Sequence, residues 1–183
     1  PEGGVHFRVW APRTESVLVE VVSKHHKAGG SQVFPLEPEG GGYFSGLISE
    51  VKTGTWYRYR LERGSFPDPA SRFQPEGPHG PSQVVDATRF RWSDAKWRGL
   101  PSHARVIYEM HIGTFTPEGT WNAAAEQLRE LAELGLTVIE VLPIADFPGR
   151  FGWGYDGVDL FAPTRLYGNP DDFRAFVNQA HRL

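Results

Sequence analysis

Two aromatic rings and a carboxylate fall within Trp153-Gly154-Tyr155-Asp156, the stretch of the chain best equipped for chemistry. Aromatic planes take up apolar ligand faces, and a carboxylate accepts hydrogen bonds from hydroxyl groups. The set therefore suits a ligand that is apolar on its faces and polar at its edges. The plain alternatives are that both rings pack a loop onto the domain beneath it and that Asp156 ties the loop through backbone N–H groups. Glu140 and Asp146 could form an acid–base pair, but Glu140 reads better as a buried, hydrogen-bonded support. His111 sits in an apolar run, where a satisfied core histidine is the commoner case than a ligand or a base. His25, His26, His79 and His103 have no metal-ligand spacing, so no metal site is expected. With no cysteine at all, thiolate catalysis, cysteine zinc sites and disulfides are excluded. Neither a phosphate loop nor a nucleophile elbow is present.

The elements that must carry these residues change character along the chain. Up to about Arg91 the pattern is short strands. Val5, Phe7 and Val9 alternate with His6, Arg8 and Trp10, and further strands are expected over 17–22, 32–36, 43–48 and 55–61. In the last of these Trp56, Arg58 and Arg60 face one way, and Tyr57, Tyr59 and Leu61 the other. Ala28-Gly29-Gly30, Gly40-Gly41-Gly42 and Thr53-Gly54 mark turns, as in a small antiparallel sandwich. Trp10, Trp56 and Tyr57 are candidates for a binding platform, although aromatics in a small sandwich are usually core. Residues 65–81 carry five prolines and read as an irregular loop packed down by Phe66 and Phe73. Residues 91–103 read as an aromatic-anchored linker.

From Arg105 the period switches. A strand over 106–112 precedes Trp121, Ala124, Ala125, Leu128, Leu131 and Ala132, one face of an amphipathic helix with Gly135 as its left-handed cap. A second apolar strand covers 137–142. Asn169-Pro170-Asp171-Asp172 opens another helix, whose buried face is Phe173, Phe176, Val177 and Ala180. Strand, helix, strand, long connection, helix is the opening of a parallel α/β unit with right-handed crossovers. The connection from about Ile144 to Gly168 is far longer than such loops need to be, which marks it as functional.

Composition limits what this chain can bind. The 183 residues carry 19 Lys plus Arg against 22 Asp plus Glu, a formal charge of −3, so no basic footprint for nucleic acid or an anionic membrane exists. Gly (21) and Pro (15) are abundant without any repeat, which means many turns. No apolar run is long enough to span a membrane and no secretory signal is seen; with the lack of cysteine, a cytoplasmic location fits, although a chain opening at Pro1 constrains this weakly.

Phe147 to Val158 (FPGRFGWGYDGV), Phe161-Ala162-Pro163, Tyr167 to Asp172 (YGNPDD) and Ile107 to Thr120 (IYEMHIGTFTPEGT) together resemble the first quarter of the catalytic barrel of the α-amylase-type glycoside hydrolases. Within that family the chain is most similar to the trehalohydrolases, on the strength of Gly113 to Thr120 and Phe147 to Arg150. Phe7 to Pro12 (FRVWAP) and Gly80 to Asp86 (GPSQVVD) resemble the immunoglobulin-like module that precedes the barrel in trehalohydrolases, branching enzymes and debranching enzymes. The resemblance implies a multi-domain protein: an immunoglobulin-like β-sandwich over 1–95, a linker over 96–104, and over 105–183 the first part of an incomplete (β/α)8 barrel. It implies a retaining hydrolase acting on the α-1,4 bond beside the terminal trehalose of a malto-oligosyltrehalose, with one carboxylate as nucleophile and another as acid then base. Those carboxylates belong to later barrel strands, so no catalytic residue is assigned within this chain, which is expected to be inactive alone. Tyr155 takes the role of the ring lying against the sugar at the cleavage point, with Trp153 and Asp156 as further substrate-binding residues. No cofactor is implied; the expected partner is a malto-oligosaccharide or α-glucan, with self-association through the exposed strands of residues 105–183. A branching or debranching enzyme and a non-catalytic glucan-binding module are the alternative readings.

Overall fold

The computed structural model describes residues 3–22, 32–100, 103 and 105–183, which divide between two compact units, Pro1–Asp86 and Ala87–Leu183. The turn expected at 28–30 and the histidines His25 and His26 lie outside the described residues.

The first unit is built on strands β1 (Val5–Trp10), β2 (Val17–Val22), β3 (Gln32–Gly40), β4 (Tyr43–Ile48), β5 (Trp56–Leu61), β6 (Gly64–Phe66) and β7 (Ser82–Gln83). All pair antiparallel, in the order β1-β4-β3-β2-β5-β6, with β7 also on β5. Because β3 is longer than the alternation suggested, its first half pairs with β2 and its second half with β4, with a register shift between Pro38 and Gly40. The sheet curls on itself. Phe7 of β1 meets Tyr57 of β5 with ring centroids 4.9 Å apart, although three strands separate them in the pairing order. Val9, Val17, Val19, Leu36, Phe44, Ile48 and Tyr59, at inward positions of period-two strands, share this core with Val51 from the turn after β4.

The loop after β6 keeps Phe73 half-buried, and its remaining order comes from polar burial. Phe66 was expected to anchor it but ends β6 with its ring exposed. Asp68, Ser71, Gln74 and Ser82 are buried in its place. The Tyr57 hydroxyl donates to the Asp68 carboxylate at 2.6 Å, the Ala70 N–H donates to it at 2.8 Å, and the Asp68 N–H donates to the Ser82 hydroxyl at 2.9 Å. Proline-rich chain supplies few backbone donors, so buried side chains take over the pairing that any buried carbonyl or N–H requires.

The second unit pairs β8 (Ile107–Met110) in parallel with β9 (Val138–Val141), flanked by α1 (Ile112–Phe115), α2 (Trp121–Glu133) and α3 (Pro170–Arg182). The first strand stops short of the expected 112. Gly113 lies where a Cβ would come 2.8 Å from the Tyr167 ring, and the chain turns there into the single helical turn α1. Thr120 caps α2 by accepting from the Ala123 N–H, and Gly135 ends it at φ +95°, its N–H donating to Ala132 while Leu136 donates to Leu131. Asn169 and Asp172 form the capping box of α3. Trp121, fully buried, packs with tilted rings against Phe173 and Phe176 of α3, centroids 4.5 and 5.3 Å apart.

The boundary between units falls at 86/87, so residues 87–95, expected with the sandwich, lie with the second unit. Segment 93–97 is strapped to α3. The Ser93 N–H donates to Asn178 at 2.8 Å, His181 bonds Asp94 at 2.7 Å, and the Trp97 and His181 rings stack with centroids 3.8 Å apart. Nor is Glu140 buried as expected. It projects from a sheet that has two strands among the described residues, beside an equally exposed Glu109 in register with it.

Candidate functional site

The connection between β9 and α3 is a small structure of its own, in which β10 (Ala145–Asp146) pairs antiparallel with β11 (Asp159–Pro163) and residues 147–158 form the loop between them. Asp146 pins the root of this loop. Its carboxylate is fully buried and accepts from Arg165 Nη1 at 2.9 and 3.2 Å and from the Arg165 N–H at 3.3 Å, while Nη2 of the same arginine reaches the Gly149 carbonyl at 3.2 Å. A carboxylate so paired and with no exposed surface holds the loop and is out of reach of a ligand.

Close backbone contacts then dictate where the loop's side chains go. Gly154 is buried at φ +95°, and a Cβ there would stand 1.8 Å from the Pro143 carbonyl oxygen, so only glycine fits. A backbone pressed that tightly onto the end of β9 throws its neighbours outward: Trp153 is 77% and Tyr155 69% exposed, and Asp156 is exposed as well. Gly152 abuts the buried Phe147 ring, and its carbonyl lies 2.9 Å from His111 Nε2.

His111 follows the C-terminal end of β8 and ties three elements together. Since a carbonyl can only accept, the 2.9 Å contact with Gly152 assigns the proton to Nε2, which also lies 3.1 Å from the Tyr167 hydroxyl. Nδ1 is then left to accept from the Thr114 hydroxyl at 3.1 Å. Burial pushes the Tyr167 hydroxyl above the usual phenol range, so it stays protonated. His111 is thus satisfied at both nitrogens, as expected, but in the wall of a cavity and not in the core.

That cavity, of about 580 Å³, opens at the C-terminal ends of the two parallel strands. His111, Glu118, Phe147, Arg150, Trp153 and Tyr167 stand in its wall. Of the three residues singled out from the sequence, Trp153 reaches it, whereas Tyr155 and Asp156 occupy the turn beyond. Arg150, Phe151 and Glu118 were not singled out. Their signal was membership of the same short motifs, Phe147 to Arg150 and Gly113 to Thr120, which converge on this space. Trp10, Trp56 and Tyr57 do not share a platform, because neighbours in β5 face opposite sides and Tyr57 is core. Among the described residues no group of three His, Asp or Glu side chains is placed to hold a metal, and no helix is long and apolar enough to cross a membrane.

A glycine-tethered loop of exposed aromatics thus stands over a cavity at the ends of two parallel strands. No family model matches the chain. Individual proteins do, and they show it to be a homologue of the α-amylase-type glycoside hydrolases. More particularly, it is 43% identical over 183 residues to the malto-oligosyltrehalose trehalohydrolase of Saccharolobus solfataricus and 44% identical over 180 residues to that of Deinococcus radiodurans. These matches cover 100% and 98% of the chain but 31% and 28% of the relatives' lengths. A 1,4-α-glucan branching enzyme of Streptomyces coelicolor is 33% identical, with 98% of this chain and 25% of that one covered. Among solved structures, a Salmonella typhimurium protein described as an alpha amylase superposes with a TM-score of 0.87 at 47% identity, over 97% of this chain and 29% of its own. A pullulanase crystallised with maltotetraose shares the fold at a TM-score of 0.80 and 20% identity, over 99% of this chain and 31% of its own.

Proposed function

We propose that this chain is the N-terminal part of a retaining hydrolase that releases trehalose from malto-oligosyltrehalose by cutting the neighbouring α-1,4 bond. In this reading Pro1–Asp86 is the immunoglobulin-like accessory module and Ala87–Leu183 the opening of a cytoplasmic enzyme's (β/α)8 barrel. One observation carries it: the two motifs that favour a trehalohydrolase over a branching enzyme, Gly113 to Thr120 and Phe147 to Arg150, line a single cavity beside Trp153. Tyr155 stacks on the sugar at the cleavage point and Trp153 on a neighbouring ring, while Asp156 accepts hydroxyl hydrogen bonds. Retaining hydrolysis needs two carboxylates about 5 Å apart. Among the described residues Glu118 is the one carboxylate in the cavity wall, which supports the reading that the 183 residues alone are inactive. The exposed Ile107 and Tyr108 of β8 give this piece a tendency to pair with a second copy.

The test is turnover of the whole protein containing this chain on maltosyltrehalose. Tyr155→Ala should cut kcat/KM by tenfold or more without a matching loss of stability, and Tyr155→Phe far less. Branched product or α-1,6 cleavage, with no trehalose released, would replace this reading by that of a branching or debranching enzyme.

A further inference from the structure

Trp153 is exposed, and among the described residues its indole makes no hydrogen bond or ring contact of its own. Its direction is set by the chain on either side, which is glycine both times. Gly154 is held by shape, against the Pro143 carbonyl. Gly152 is held by shape and by a bond: a Cβ there would stand 2.9 Å from the Phe147 ring, and its carbonyl accepts from His111 Nε2 at 2.9 Å. That carbonyl and the Trp153 N–H belong to one planar peptide, so fixing the oxygen fixes the plane from which the Trp153 side chain departs. The imidazole is in turn oriented from below. Thr114 donates to Nδ1 at 3.1 Å, the Tyr167 hydroxyl stands 3.1 Å from Nε2, and the Tyr167 ring meets the imidazole at 81° with centroids 5.8 Å apart. Tyr167 is buried beside Trp121, which ties this arrangement to the core.

We propose that His111 is a positioning residue for the substrate site: it sets Trp153 through the Gly152 carbonyl, and so makes the loop after β9 depend on the end of β8. The identity of the substrate rests on the function proposed above. A catalytic role is not what this geometry offers. The Nδ1 lone pair is taken by Thr114 and the Nε2 proton is directed at protein oxygens, so neither a free base nor a free proton faces the cavity. The charged groups of the same wall, Glu118 and Arg150, make no bond to the imidazole among the described residues. The bond to Gly152 joins neutral partners, so its loss should weaken substrate binding by about fivefold. Because Trp153 stacks on the sugar before and during reaction alike, the loss falls on KM and spares kcat. The clamps on Phe147 and Pro143 are steric and survive a change at His111, which lets this one contact be cut alone.

The experiment compares His111→Gln with His111→Asn. Glutamine brings an N–H to about the place of Nε2; asparagine brings its amide only to the level of Nδ1, where it reaches Thr114 but not Gly152. Two readouts are taken: kinetics of the whole protein containing this chain on maltosyltrehalose, and the indole N–H signals of the 15N-labelled 183-residue chain, in which Trp153→Phe assigns one signal. The expected result is that His111→Asn shifts the Trp153 indole signal and raises KM about fivefold with kcat within about twofold, while His111→Gln restores both. Added to Trp153→Ala, His111→Asn should raise KM no further, since it acts through that ring. Equal damage from Gln and Asn, additive effects in the double variant, or an unmoved Trp153 signal overturns the proposal. So does a His111→Asn chain that fails to fold, because the residue is then simply structural, and so does loss of a limb of the kcat pH profile, because it then exchanges protons with substrate. A whole protein that releases no trehalose refutes the earlier reading and leaves the Trp153 signal to decide this one.

Discussion

Separating Asp146 from Arg165 should be strongly asymmetric in its effect. The carboxylate has no exposed surface, and Arg165 holds it through two contacts from Nη1 and one from the backbone N–H. In Arg165→Met the carboxylate keeps one long backbone bond and cannot reach water. Stranding a buried charge in this way costs about 3–5 kcal/mol. In Asp146→Ala the arginine is better placed: its side chain is 21% exposed and keeps the Phe147 and Gly149 carbonyls at 3.4 and 3.2 Å. Losing its charged partner there should cost about 1.5–3 kcal/mol. The double variant Asp146→Leu/Arg165→Met removes both charges and should be less destabilised than the sum of the singles by about 2 kcal/mol or more. Urea denaturation followed by tryptophan fluorescence gives these values. Exchange of the Val158 amide, which donates to the Asp146 carbonyl at 2.9 Å, reports the loop directly. The reasoning fails if Arg165→Met is no worse than Asp146→Ala, or if the two single effects simply add.

Three further outcomes follow from particular contacts. Burial, outweighing the bonds from Tyr57 and Ala70, raises the Asp68 carboxyl above its ordinary range. The folded chain then binds that proton more readily than the unfolded one, so this group's contribution falls as pH rises from about 4 through the raised value; urea midpoints should therefore favour Asp68→Asn over the parent increasingly toward neutrality, and a pH-independent difference would refute this. Gly154→Ala combines a positive φ with a Cβ 1.8 Å from the Pro143 oxygen and should cost about 2 kcal/mol or more, with altered Trp153 fluorescence; a variant as stable as the parent would show that the loop root does not fix the ring. Asn169→Ala removes the α3 cap and should cost about 1 kcal/mol by thermal melting, while Asn169→Asp should be nearly neutral.

Much of the fold could be read locally. Asn169-Pro170 and Gly135 mark helix ends because capping involves only the nearest few residues, and the alternation of β5 set Tyr57 and Tyr59 on one face because strand geometry has period two. The motifs of the β9–α3 connection likewise announced the α-amylase-type relationship. What needed the tertiary structure was every question of who covers whom. Phe66 and Glu140 look like residues to bury, yet both stand exposed among the described residues. Trp10 and Tyr57 are both aromatic strand residues, and only the curl of the sheet makes one surface and the other core. His111 and Gly152 lie far apart in sequence and meet because the loop folds back on its root, while Ser93 and Asp94 join the second unit through α3. Burial is a property of pairs of distant segments, so no local pattern can encode it. The sequence of residues 147–158 thus carries the chemistry of the candidate site, and the press of Gly154 against Pro143 decides which of its side chains face the cavity.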